Sequence, residues 1–162
     1  MAWVVADLCR GPRGTFLVLS EEVTGLGIKN LSWPASLPST INHLAGVALE
    51  VLGVRLEVTT TSTPGNRSFT LEFNDTDIDL VEHVVPSAVV AASLSRAVEF
   101  HPAHRISDVN ELAGTTIRSG LPRGAFIFPG RQITILDSNV IDSTDTMIVH
   151  VRARVTERGR ER

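Results

Sequence analysis

The sequence predicts an α+β fold in which strands dominate: a mixed or antiparallel sheet, or a small β-sandwich, carrying one or two packed helices. Three observations predict it. Val, Ile and Thr number 19, 10 and 15, which is 44 of 162 residues, while aromatic residues make up only 5% and Tyr is absent. Branched side chains of this kind suit pleated, half-buried surfaces. Ile41, Leu44, Ala45, Ala48, Leu49 and Leu52 recur at helical spacing. The distal third is apolar material cut into short runs by Gly120, Pro122, Gly124, Pro129 and Gly130. A chain of this length buries about 70% of its unfolded surface and needs no disulfide or metal to fold. Residues 1–155 read as one globular domain and 156–162 as a polar, Arg-rich tail.

Taken in order, Val4–Leu8 and Thr15–Ser20 read as two strands around the turn-forming Gly11-Pro12-Arg13-Gly14. Gly25–Pro38 reads as an ordered loop, and Trp33 within it calls for a pocket in this chain or in a neighbour. The helix expected over Thr40–Leu52 has Ser39 as N-cap and Gly53 just past its end. Val54-Arg55-Leu56-Glu57-Val58 then alternates with period two, and so do Phe69, Leu71 and Phe73. With Thr63-Pro64-Gly65-Asn66 between them these runs predict a β-hairpin lying under the helix. Ser87 is placed to cap a second helix over Ala88–Glu99, with Val90, Leu94, Ala97 and Val98 on one face, and Ser107–Leu112 reads as one further helical turn. Strands follow at Thr115–Arg118, Ala125–Phe128, Gln132–Leu136 and Met147–Val155. Pro64-Gly65-Asn66-Arg67 before Phe69-Thr70-Leu71 is echoed by Pro129-Gly130-Arg131 before Ile133-Thr134-Ile135, the pattern a duplicated hairpin would leave.

Chemistry-bearing patterns are sparse. Cys9 is the only cysteine, so neither a disulfide framework nor a cysteine zinc site forms within one chain, and a small buried apolar role is expected of it. Glu72, Asp75, Asp77, Asp79 and Glu82 form an acidic run, but an EF-hand loop started at Asp75 would need Gly where Leu80 stands and Glu where Pro86 stands. On a strand Asp75, Asp77 and Asp79 share one face, which suits a solvated edge, a neighbour's Arg side chains or a hard cation. His101 and His104 have metal-ligand spacing without a helix to enforce it, and His43 and His150 lack local carboxylate partners. Neither Gly-x-Ser-x-Gly nor a phosphate loop occurs, and Gly25-Leu26-Gly27 is a truncated dinucleotide fingerprint. No catalytic residue, cofactor or metal is assigned.

The charges are unevenly laid out. Fourteen Arg stand against one Lys, Lys29, with net charge −3. Arg152, Arg154, Arg158, Arg160 and Arg162 make the C-terminus basic, yet Glu157 and Glu161 dilute it and no aromatic interleaves for base stacking, so nucleic-acid binding is expected at most through this tail. An arm docking on the acidic Asp75–Asp79 segment of a neighbour fits the same residues. The N-terminus has no basic leader and no apolar run spans a membrane, so a soluble protein made in the cytoplasm is expected.

Short Gly/Pro-cut strands, a bare N-terminus, Arg in place of Lys and the lack of a catalytic cluster together resemble small structural proteins of tailed-bacteriophage particles from GC-rich hosts. The resemblance implies a non-enzymatic assembly subunit, a decoration, head-closure or tail protein of the virion, whose partners are copies of itself and other particle proteins. It assigns no residue a role. The interface residues read from the sequence are Trp33, Asp75, Asp77, Asp79, Arg152, Arg154, Arg158 and Arg160; the alternative is a small metal-dependent enzyme or ligand-binding domain using Asp75–Asp79 with His101 or His104. Removing Thr156–Arg162 is expected to weaken self-association with little loss of fold, read by light scattering and a thermal melt; unchanged association would remove the docking role.

Overall fold

The computed structural model describes residues 3–11, 14–24, 29–32, 48–75, 80–86, 89–102, 111–113, 116–122, 125–128, 130–137 and 143–156. Among these the chain forms twelve strands and no helix. They are β1 (Val4–Gly11), β2 (Gly14–Thr24), β3 (Lys29–Ser32), β4 (Ala48–Thr59), β5 (Phe69–Asp75) and β6 (Leu80–Pro86). β7 (Ser95–His101), β8 (Glu111–Ala113), β9 (Thr116–Gly120), β10 (Phe126–Ile127), β11 (Arg131–Asp137) and β12 (Thr146–Thr156) complete the set. One sheet runs β1-β2-β12-β4-β7-β9-β8, with β10 also on β4, and a four-stranded sheet runs β3-β11-β5-β6. Every pairing is antiparallel except β7 with β9. The inner faces of both sheets share one core, from Leu17, Leu56 and Val149 on the large sheet to Phe69, Leu71 and Ile133 on the small one. This is a sandwich-like fold.

The helices expected from the sequence are overturned where the structure can be compared with them. Ala48–Leu52 is the first half of β4, and 40–47 lie outside the described residues. The physical reason is a β-bulge. Ala153 pairs with Val51 and Arg152 with Gly53, so Leu52 is an extra residue in the ladder. Buried Leu49 and Val51 lie before it and buried Val54, Leu56 and Val58 after it, so the inward parity changes from odd to even. That phase jump breaks the period of two, and the broken pattern imitates helical spacing.

The second expected helix fails differently. Ser95–His101 is β7, with Val98 and Phe100 buried. Before it, Ser93 takes a φ of 59°, a left-handed conformation incompatible with a continuing helix, and its N–H donates to the Thr61 carbonyl at 2.8 Å. Of the expected turn at Ser107–Leu112, Glu111 and Leu112 are strand β8, and 107–110 lie outside the described residues. The loop expected over Gly25–Pro38 contains β3.

Other expectations hold. β1 and β2 form a hairpin closed by Gly11 opposite Gly14, whose φ of 112° suits only glycine. The distal strands appear as β9, β10, β11 and β12. The two echoed segments become β5 and β11, antiparallel neighbours in the small sheet rather than two copies of a hairpin.

The expected hairpin of Val54–Val58 with Phe69–Phe73 is also replaced. β4 pairs with β12, β7 and β10, whereas β5 pairs with β11 and β6, so residues 60–68 cross from one sheet to the other. Both apolar faces point into the same core from opposite sides. The crossing is held by Arg67, fully buried with Asp145. Arg67 Nε donates to Asp145 Oδ2 at 2.8 Å and Nη2 to Oδ1 at 3.3 Å. Its Nη1 donates to the carbonyls of Thr63 at 3.0 Å and Gly65 at 2.6 Å. Asp145 Oδ1 also accepts the Thr61 N–H at 2.7 Å and hydroxyl at 3.0 Å. Backbone bonds between Arg67 and Val90, at 2.9 and 2.7 Å, fasten the crossing to the segment ahead of β7.

Burial by itself would push the Asp145 carboxyl up, but the bonds from Thr61 and Arg67 outweigh it and hold it below the ordinary carboxylate value. A lowered folded-state value means that this stabilisation is complete above the unfolded value of about 4 and is lost as pH falls through the folded one. Asp145→Asn is expected to cost about 3–5 kcal/mol at neutral pH, because it strands a buried guanidinium. Urea unfolding from neutral to acid pH should show the gap between the two proteins closing as the wild type protonates; a cost below about 1 kcal/mol at pH 7 would refute the role.

Candidate functional site

Strand alternation sends many polar residues of β2, β12, β4, β7 and β9 to the outer face of the large sheet, while Glu21 and Ser119 are buried. The register aligns Ser20, His150, Arg55, Glu99 and Arg118 in one row across five strands. Neighbours in such a row lie within cross-strand reach. Ser20 Oγ and His150 Nδ1 are 2.7 Å apart, and His150 Nε2 stands 4.0 Å from Glu57 Oε1. Arg55 donates to Glu57 at 3.1 Å and also to Glu99. Burial works against the Arg55 charge, but the bonds to Glu57 and Glu99 prevail and raise its pKa further. His150 thus gains through the fold the carboxylate neighbour that its sequence surroundings lack.

In the adjacent row Val18 and Gly53 flank Arg152. Gly53 has no side chain to fill its place, so the face sinks there into an open concavity of about 250 Å³. Its lining includes Val54 and Phe100, with Arg55, Glu99, His101, His150 and Arg152 contributing polar groups. A Cβ on Gly53 would stand 3.3 Å from the Phe100 carbonyl oxygen and 3.7 Å from His101 Cδ2, so a side chain here would press on β7 and fill part of the concavity. A second, shallower concavity shares Val18 and Arg152 and reaches Asp7 and Cys9 on β1.

The structure divides the residues expected to form an interface. Arg152 and Arg154 share the outer face of β12, but Arg154 is bound to Glu50, by Nε at 2.8 Å and by Nη2 as well. Arg152 is exposed and makes no hydrogen bond or ion pair among the described residues. Asp75 ends β5 and pairs in register with Leu80, the first residue of β6. Trp33, Asp77, Asp79, His104, Arg158 and Arg160 lie outside the described residues. Among the described residues no three His, Cys, Asp or Glu side chains are grouped to hold a metal. His101 is the last residue of β7 and lines the concavity. Cys9, expected to be buried, is exposed, because β1 is the outermost strand of its sheet. Thr156, the first residue of the expected tail, pairs with Ala48, and its hydroxyl donates to the Ala48 carbonyl at 3.2 Å; 157–162 lie outside the described residues.

Sequence reasoning passed over Gly53 and Arg55. The available signal was a glycine between two apolar alternations of opposite phase, which marks a bulge.

No protein-family model matches the chain, and no curated protein matches it. Among solved structures one similar chain is the Clostridium thermocellum N-terminal endo-1,4-beta-D-xylanase 10B, its CBM22-1 and GH10 modules complexed with xylohexaose. The identity is 12% and the TM-score 0.35, over 98% of this chain and 26% of that one. The present chain therefore spans about a quarter of that protein's length, a likeness too loose to assign an activity.

The surface pairs of the outer face are worth little singly. Glu99→Gln is expected to cost under about 1 kcal/mol, with the difference shrinking as salt is added. Thermal melts at low and high ionic strength check this; a larger, salt-independent loss would mean that Glu99 is part of the core support.

Proposed function

We propose that the protein is a non-enzymatic structural subunit that assembles into a symmetric oligomer through the β1 edge, as a component of a bacteriophage particle such as a decoration, head-closure or tail protein. The observation that carries the assembly reading is the state of β1. It is an eight-residue strand paired among the described residues on one side only, to β2, and all its residues but the half-buried Val5 are exposed. Leu8 pairs with the buried Leu17 and so faces inward, yet it is 41% exposed. Val4 is 56% exposed as well. An unpaired row of N–H and C=O groups beside uncovered apolar side chains is a template for another strand.

A bulge at Ala6 leaves Asp7–Gly11 as the regular part of β1. When two copies pair this segment antiparallel about a twofold axis, the axis passes beside Cys9, so the two thiols face each other at a spacing a disulfide can bridge. The Arg-rich composition and Gly/Pro-cut strands support placing the subunit in a phage particle, and the Arg158 and Arg160 tail together with Trp33 and the Asp75, Asp77 and Asp79 segment remain proposed secondary contacts.

Light scattering is expected to show a defined oligomer that a Val4→Lys, Leu8→Lys double variant shifts toward monomer with its thermal melt unchanged. Mild oxidation is expected to trap a dimer that Cys9→Ser abolishes. A wild-type monomer at high concentration would overturn the proposal.

A further inference from the structure

We infer that the Gly53 concavity is a binding site for a carboxylate carried on a short hydrocarbon stem. This does not rest on the assembly reading, since neither Val4 nor Leu8 lines the site. Charge decides the class of ligand. Around the concavity Arg55 is engaged by Glu57 and Glu99, and Arg154 in the next row is engaged by Glu50, while Arg152 stands at the rim with no partner among the described residues. A free guanidinium presents a planar fork of donors, the geometry that grips a carboxylate through two parallel bonds. The adjoining lining supplies the Val18 side chain for a hydrocarbon stem, while Val54 and Phe100, whose side chains face the core, form the floor through their backbone.

Size decides the length of that stem. At about 250 Å³ the concavity is smaller than the usual range for drug-sized ligands, roughly 300–1,000 Å³, and it suits an acid of a few carbons. Two sources offer that chemistry: a free short-chain acid, or an Asp or Glu side chain presented by a second copy.

Propionate and glutarate are titrated into the full chain, with the imidazole signals of His101 and His150 followed by NMR and with propionamide as the uncharged control. Saturable shifts are expected with both acids and none with propionamide. Arg152→Gln is expected to weaken binding on the order of tenfold or more, and Gly53→Ala, which places a methyl group against the Phe100 carbonyl and the His101 ring, to abolish it. If Gly53→Ala does not fold, Arg152→Gln decides alone. Equal shifts with propionamide, no saturation, or binding untouched by Arg152→Gln would overturn the assignment. Dissociation of the oligomer by glutarate identifies the second copy's side chain as the source, and binding that leaves association unchanged identifies a free acid. The Val4→Lys, Leu8→Lys variant separates the two proposals, because it is expected to lose association and keep glutarate binding.

Discussion

The bidentate contact between Arg67 and Asp145 is the constraint on which the two-sheet arrangement depends. The chain must leave the large sheet after Thr59 and enter the small one at Phe69, and that passage is exposed at Ser62, Pro64, Gly65 and Asn66 but carries Thr60 and Arg67 into the interior. Buried N–H and C=O groups without partners are costly. Arg67 answers the carbonyls of Thr63 and Gly65, and Asp145 answers the N–H of Thr61. Two charges that would each be prohibitive alone become a satisfied knot, and in closing it they join the crossing to the residue that introduces β12. Thr60 adds a neutral counterpart: its hydroxyl donates to the Ala91 carbonyl at 2.8 Å and receives the Leu94 N–H at 3.0 Å. The central strands β4 and β12 are thus tied at one end to the turn that leads into β7.

Sheets of unequal width follow from this arrangement, and the mismatch sets the character of the surface. Inner-face residues near the middle, such as Leu56, Val149 and Phe69, are wholly buried, while Leu8 on the same face of β1 is not. The outer face carries a different consequence of strand geometry. Several of its charges are matched, Arg55 with Glu57 along β4 and with Glu99 across the strands, and Arg154 with Glu50 across the strands. Arg152 has no such match among the described residues, and it stands where the bulge at Leu52 brings Gly53 beside it. One inserted residue therefore keeps Val54, Leu56 and Val58 facing the core, opens a concavity on the other side of the sheet and leaves a cation at its rim.

Much of the strand content was legible locally. The turn at Gly11–Gly14, the alternation in Val54–Val58 and Phe69–Phe73 and the apolar runs of the distal third all rest on short-range rules, and strands stand in each of those places. Strand pairing was not legible where partners lie far apart. An alternation shows that a strand has an apolar face, but it does not say which sheet supplies the neighbour, and β4 and β5 were joined in expectation because they are consecutive. The helix over Thr40–Leu52 arose from a real pattern with a different cause: a bulge shifts the phase of a strand by one residue, and the sum of two phases approximates helical spacing.

A strand-rich single core, an Arg-dominated set of cations and the apolar faces that had to be hidden follow from composition and period, which act over a few residues. Tertiary structure decided everything that depends on pairing. It buried Arg67, which in a Pro-Gly-Asn-Arg turn reads as solvated, because Asp145 arrives from 78 residues away. It gave His150 and Arg55 their neighbours, engaged Arg154, left Arg152 without a partner among the described residues, and exposed Cys9 by placing β1 at an edge. Those outcomes are set by register between distant strands, and register is fixed only when both faces of the sandwich close on one core.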